Sequence, residues 1–123
     1  MKAGLIHAVI LLALILVGCG DPSSSGSGGL AEAKSRELLP EDPEIAEIYN
    51  RSCRSCHTVA ATGAPLTGDT TAWAPLTAKG ADILLENVVS GYRGMPPFGL
   101  CMDCDADQFD ALIAFMASAG ERR

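Results

Sequence analysis

Cys53-Arg54-Ser55-Cys56-His57 sets two thiols three positions apart and an imidazole directly after the second. Thiols so spaced can add across the two vinyl groups on one edge of a porphyrin, and the adjoining residue then brings an imidazole beneath the iron. C-x-x-C-H is the attachment signature of a covalent haem. A C-x-x-C pair also serves as a zinc half-site or a redox dithiol. Cys101-Met102-Asp103-Cys104 repeats the spacing and would complete a four-cysteine zinc site. Three features weigh against zinc. Zinc needs no histidine right after the second cysteine, and an exported chain favours oxidation of spare thiols. A zinc ribbon would also leave no role for Met95 beside its two prolines.

Met95 is the candidate for the second axial position on iron. It lies in Gly94-Met95-Pro96-Pro97, where two prolines stiffen the chain and hold the sulfur at a fixed distance. Histidine with methionine is an electron-transfer ligand pair, and thioether coordination raises the potential. Met102 sits between two cysteines, and Met116 lies on the apolar stripe of the last helix as a core residue. The gap-filling alternative for Met95 rests on the adaptability of methionine side chains.

The elements that must position these groups are helical. Asp42-Pro43-Glu44 supplies a cap, a proline at the first helical position and an acid in the first turn. Ile45, Ile48 and Tyr49 then fall on one face of a helix running to about Ser52. Residues 58–70, with Gly63, Pro65 and Gly68, read as a loop. A short helix capped by Asp69 or Thr71 passes through Trp73 to Ala78, disturbed by Pro75. A second covers Asp82 to Val89 and stops at Ser90-Gly91. Gly94 to Pro97 is an extended loop. Asp105 and Gln108 form a capping box, and Phe109, Leu112, Ile113 and Met116 make an apolar stripe ending before Gly120. No segment alternates as a strand does, so the expected fold is all-α.

The N-terminal third reads as an address. Lys2 precedes an apolar run from Leu5 to Val17, too short for the ~20 residues of a comfortable membrane span and suited to a secretory signal. The run closes Leu16-Val17-Gly18-Cys19, which resembles a bacterial lipobox. Residues 1–18 are then a signal peptide and Cys19 the lipidated terminus, with more than one acyl chain giving stable attachment. Gly20 rather than Asp follows Cys19, a pattern that favours the outer membrane where a cell has two. Residues 19–40 are expected as a lipid-anchored flexible Gly/Ser linker, with a helical turn or two between Leu30 and Leu39. The haem domain is expected over 41–120 and a tail over 121–123.

The chain has 123 residues, room for one small domain besides leader and linker. A domain of this size buries limited apolar surface and benefits from a covalent or prosthetic staple. Without a leader carrying Lys2 it keeps 8 basic and 15 acidic side chains, a net charge of −7. Nucleic acid is excluded as a partner, because phosphate contacts need clustered Lys and Arg. The acidity suits a basic protein partner. Arg51, Arg54, Lys79 and Arg93 are read as solvated.

From Ile45 to Ala117 the sequence resembles the cytochrome c5 family, within the class I c-type cytochromes. The residues that carry the resemblance are Tyr49, the Cys53–His57 signature, Gly63-Ala64-Pro65, Gly68-Asp69, Trp73-Ala74-Pro75, Gly80, Gly94-Met95-Pro96-Pro97, the Cys101/Cys104 pair and Phe115-Met116. Phe98 and Leu100 depart from it, since the family often carries a basic residue and Gly there. The resemblance implies a small class I fold with helices around one haem c, and a disulfide between Cys101 and Cys104. It implies that the Pro65 carbonyl accepts a hydrogen bond from the His57 ring, setting its tautomer. Trp73 is implied as a pocket or propionate contact, with a plain core role as the alternative. Cysteine usage then closes: Cys19 takes lipid, Cys53 and Cys56 take haem, and the remaining two pair.

The function expected is a non-enzymatic, membrane-tethered carrier of single electrons. Its partners would be redox proteins: a membrane reductase, an oxidase or a periplasmic reductase. The chain would be an exported bacterial lipoprotein, periplasm-facing or at the cell surface. Dimerisation through the haem face is known in the family and is carried as an open possibility. The alternatives are a haem peroxidase, or a gas or redox sensor, in which Met95 leaves the iron. The peroxidase is weakened because His57 is the only histidine left once His7 is removed with the leader. A dedicated subunit of a larger complex is a further form of the carrier.

Overall fold

The computed structural model describes residues 31–118. The expected signal peptide, Cys19, the Gly/Ser stretch to residue 30, Gly120 and the tail 121–123 lie outside the described residues. A helix over residues 31–37 (α1) comes first. Next, α2 covers Pro43–Ile48 and passes through a π-wound turn, Tyr49–Cys53, into α3, Arg54–His57. A 3-10 turn at Ala60–Thr62 leads to α4, Thr70–Thr77, and α5, Ala81–Ser90. A turn at Pro97–Leu100 precedes α6, Ala106–Ser118. Among the described residues there is no strand, only an isolated bridge between Tyr92 and Met95. None of the described helices is long and apolar enough to cross a membrane.

The caps follow from local chemistry. The Asp42 carboxylate accepts from the Glu44 and Ile45 amides at 2.8 and 3.3 Å, with Pro43 behind it. Asp69 accepts from the Ala72 amide at 3.1 Å, so α4 begins at Thr70 and holds Pro75 within it. At α6 the capping box closes both ways: the Gln108 amide donates to Asp105 at 2.9 Å, and the Gln108 side chain accepts from the Asp105 amide at 3.0 Å.

The α2 helix, with its π-wound extension, and α6 make the core. Tyr49 meets Phe115 edge to face at 5.1 Å, as their opposed quadrupoles favour. Ile48, Phe109, Leu112, Ile113 and Met116 fill in around them, all buried. Leu84 and Val88, one turn apart on α5, close the cluster from the other side.

Three features differ from the sequence expectation. The helix that begins at Pro43 does not stop at Ser52: it widens into the π turn and continues to His57, so the whole C-x-x-C-H segment is helical. Pro97 does not continue an extended loop but opens a turn in which Phe98 and Leu100 take φ of 59° and 67°. And the packed domain begins ten residues before Glu41. Residues 31–37, expected as a helical turn or two within the flexible linker, are helical but also docked: Ser35 is 1 % exposed and Leu38 packs against the core. Hydrogen bonds to the attachment segment hold this piece, and an apolar periodicity reading does not register them.

Candidate functional site

His57 ends α3 and is buried. Its Nδ1 lies 2.8 Å from the Pro65 carbonyl oxygen, which makes Nδ1 the N–H donor and leaves Nε2 with a free lone pair. Burial pushes the ring below its ordinary pKa, and the Pro65 carbonyl opposes this more weakly. The imidazole is therefore neutral at pH 7, the state a metal ligand requires. The His57 carbonyl is held as well: it accepts from the Thr67 amide at 2.7 Å and from the Ser35 hydroxyl at 3.1 Å. The Tyr49 hydroxyl donates to Thr67 Oγ1 at 2.9 Å, tying the loop to the core.

His57 opens onto a cavity of about 590 Å³, within the ~300–1,000 Å³ of small-molecule and cofactor pockets. Its walls are largely apolar and include Leu66, Trp73, Leu84, Val88 and Ile113. Met95 lines the same cavity. Cys53 and Cys56 do not line it. They sit on the turn of helix just before His57, Cys53 half-buried and Cys56 exposed, both as free thiols. Burial pushes the Cys53 thiol up to about 11, against the pull of Arg51.

Met95 is fixed by backbone. Its amide and carbonyl exchange hydrogen bonds with Tyr92, at 2.9 and 3.0 Å, across a turn in which Arg93 takes φ 54°. Gly91, at φ 80°, lets that turn approach: a Cβ there would lie 3.0 Å from the Met95 oxygen and the Pro97 nitrogen. Gly99 faces the Met95 methyl, which would be 3.2 Å from an added Cβ.

Trp73 is buried and stacks on His57 with ring centroids 5.8 Å apart. Its indole N–H donates to the Leu66 carbonyl at 2.9 Å, so the polar edge is spent on the backbone. The residue is pocket wall and core together, and its N–H is not available for a propionate. Cys101 and Cys104 have their sulfurs at bonding distance and Cα atoms 5.4 Å apart, inside the span of a disulfide. The Arg51 guanidinium reaches this turn, with Nη2 3.3 Å from Cys101 Sγ and a two-pronged pair to Asp103 at 2.8 and 3.0 Å. Arg93 and Lys79 approach the Tyr92 ring at 5.2 and 6.0 Å. Sequence reasoning missed Ser35 and Thr67; neither sits in a pattern that marks it.

The donor set fits a haem. A neutral histidine nitrogen and a methionine sulfur share one apolar cavity, with two thiols on the turn before the histidine.

Comparison with known proteins agrees. The family model described as "Cytochrome C oxidase, cbb3-type, subunit III" matches residues 40–116. Cytochrome c5 of Ectopseudomonas mendocina is 37% identical over 73 residues, 58% of this chain and 84% of that protein. Cytochrome c5 of Azotobacter vinelandii is 38% identical over 73 residues, 58% of this chain and 88% of that one. Among solved structures, a chain in the crystal structure of an electron transfer complex of nitrite reductase with cytochrome c aligns with a TM-score of 0.55 and 39% identity. The match covers 68% of this chain and 100% of that one.

Proposed function

The chain belongs to the cytochrome c5 family, with its small all-α class I fold and one covalently bound haem c, and on that premise we propose that it is a membrane-tethered carrier of single electrons. Cys53 and Cys56 are the attachment thiols, and His57 and Met95 the axial ligands. The observation that carries this reading is the cavity that His57 and Met95 both line. Bound there, haem supplies one-electron redox chemistry at a potential set by its ligands and surroundings.

The chain's own residues do the rest. Pro65 orients the His57 ring, and the Tyr92 turn holds the Met95 sulfur. Leu84, Val88 and Ile113 give the site an apolar wall. His57 and Met95 would both be committed to the iron of a bound haem, leaving no coordination site for a substrate, which is why a carrier is favoured over a peroxidase or gas sensor. Cys101 and Cys104 form an oxidised structural pair. Residues 1–18 are the export signal, and lipid on Cys19 anchors the domain on the outer-facing side of a membrane, the outer one where there are two. Its partners are redox proteins. The structural neighbour's electron transfer complex with a nitrite reductase supports a reductase among them.

The test is the visible spectrum of the isolated protein, oxidised and reduced, with a denaturing extraction. Haem that stays with the chain, together with an iron–methionine charge-transfer band in the oxidised form, is the expected result. Covalent haem without that band overturns the carrier reading in favour of a peroxidase or sensor. Incorporation of labelled fatty acid that is lost in Cys19→Ser tests the anchor.

A further inference from the structure

We propose that residues 31–38 form a clasp that positions His57 from outside the pocket, with Ser35 as the positioning residue; this rests on the haem reading above. The clasp lies outside residues 40–116, the span that the family model matches.

Three polar contacts join it to the segment that brackets Cys56 and His57. The Ser35 hydroxyl donates to the His57 carbonyl at 3.1 Å, from a side chain only 1 % exposed. The Glu32 carboxylate accepts from the Ala60 amide, in the turn that borders the cavity. Arg54 donates to the Arg36 carbonyl at 2.5 Å. Leu38 adds an apolar contact with the core.

Ser35 and Leu38 pack this segment against the domain, and its polar contacts fasten it there. The docked segment keeps water from the His57 backbone. His57 is then fixed at two points: its ring through Pro65, and its carbonyl through Thr67 and Ser35. Hydrogen bonds behind a ligand and the exposure of a site to solvent both tune a haem potential. Loosening the clasp admits water to the histidine side, which favours the more highly charged oxidised form and lowers the potential.

The experiment uses the full-length haem-loaded protein and its Ser35→Ala and Glu32→Gln variants. Lys34→Ala is the control, since Lys34 is exposed on the same short helix. Amide exchange at Thr67, whose N–H shares the His57 carbonyl with Ser35, is expected to run roughly tenfold faster in Ser35→Ala, the worth of one buried hydrogen bond. The reduction potential is expected to fall in Ser35→Ala, which changes no charge; Glu32→Gln, which removes a carboxylate, is read by faster Thr67 exchange, and Lys34→Ala is expected to keep the parent's exchange. An unchanged potential overturns the proposal, even if exchange accelerates, because a merely structural contact would loosen the loop without moving the potential. Unchanged Thr67 exchange in haem-loaded Ser35→Ala also overturns the clasp, whereas a chain isolated without covalent haem fails the cytochrome reading instead.

Discussion

Arg51 holds Asp103 through both prongs of its guanidinium, at 3.0 and 2.8 Å, across 52 positions of sequence. The pair ties the helix that delivers the attachment cysteines to the turn that follows the Met95 loop, so the two sides of the pocket are coupled by a surface contact.

That pair predicts a pH dependence. The Arg51 hydrogen bonds hold the Asp103 carboxyl below the usual carboxylate range. A group with a depressed folded-state pKa contributes stability above its unfolded value of ~3.9, and the contribution disappears as pH falls through the folded value. Asp103→Asn should therefore melt below the parent at neutral pH, and the two melting curves should converge under acid conditions. Both side chains are solvent-exposed, so the gap is small and narrows in high salt. A gap that persists at low pH would show that the carboxylate charge is not what matters.

The glycines beside Met95 separate strain from collision. Gly91 has φ 80° and ψ 151°, a region that side chains other than glycine avoid, and an added Cβ would press on the Met95 and Pro97 backbone at 3.0 Å. Gly63 has φ 73° and ψ 2° with open space around it. Gly63→Ala should cost about 1 kcal/mol, from left-handed backbone alone. Gly91→Ala should cost about 3 kcal/mol, strain plus overpacking, and should weaken the iron–methionine band as well. Urea denaturation and the oxidised spectrum measure the two effects.

Met95→Leu keeps an apolar side chain of similar volume and removes only the sulfur. Swaps of this kind usually cost under ~1.5 kcal/mol in packing, so the fold should survive with haem still attached through Cys53 and Cys56. The charge-transfer band should vanish, the potential should fall, and the reduced protein should bind carbon monoxide. Retention of the band would mean that another residue supplies the sulfur.

Chemistry announced by a motif was legible in the sequence; contacts settled only by packing were not. Asp42, Asp105 and Gln108 declare their caps within three residues, and the structure has them. His57 and Met95 were marked by neighbours fixed in spacing, and they meet on one cavity. Ser35 carries no such mark. Its partner is a carbonyl 22 positions away, in a segment whose composition reads as linker. The π winding at Tyr49–Cys53 and the indole contact to Leu66 are likewise settled by packing. Phe98 and Leu100 are hidden for the opposite reason: their residue types argue against the left-handed backbone they adopt.

Leu100 gives that last mismatch a sign. It takes φ 67° and is 71% exposed, so its side chain gains little from burial while its backbone is strained. The strain of a non-glycine residue in this region is about 1–2 kcal/mol. Glycine relieves it but loses more chain entropy on folding, about 0.5–1 kcal/mol. The strain is the larger of the two, so Leu100→Gly should stabilise the domain by about 0.5 kcal/mol, against the usual direction of a substitution to glycine. The check is the denaturation midpoint of Leu100→Gly beside that of Leu100→Ala. Alanine keeps the strained Cβ and should give no gain, and equal midpoints for the two variants would show that the turn holds no strain.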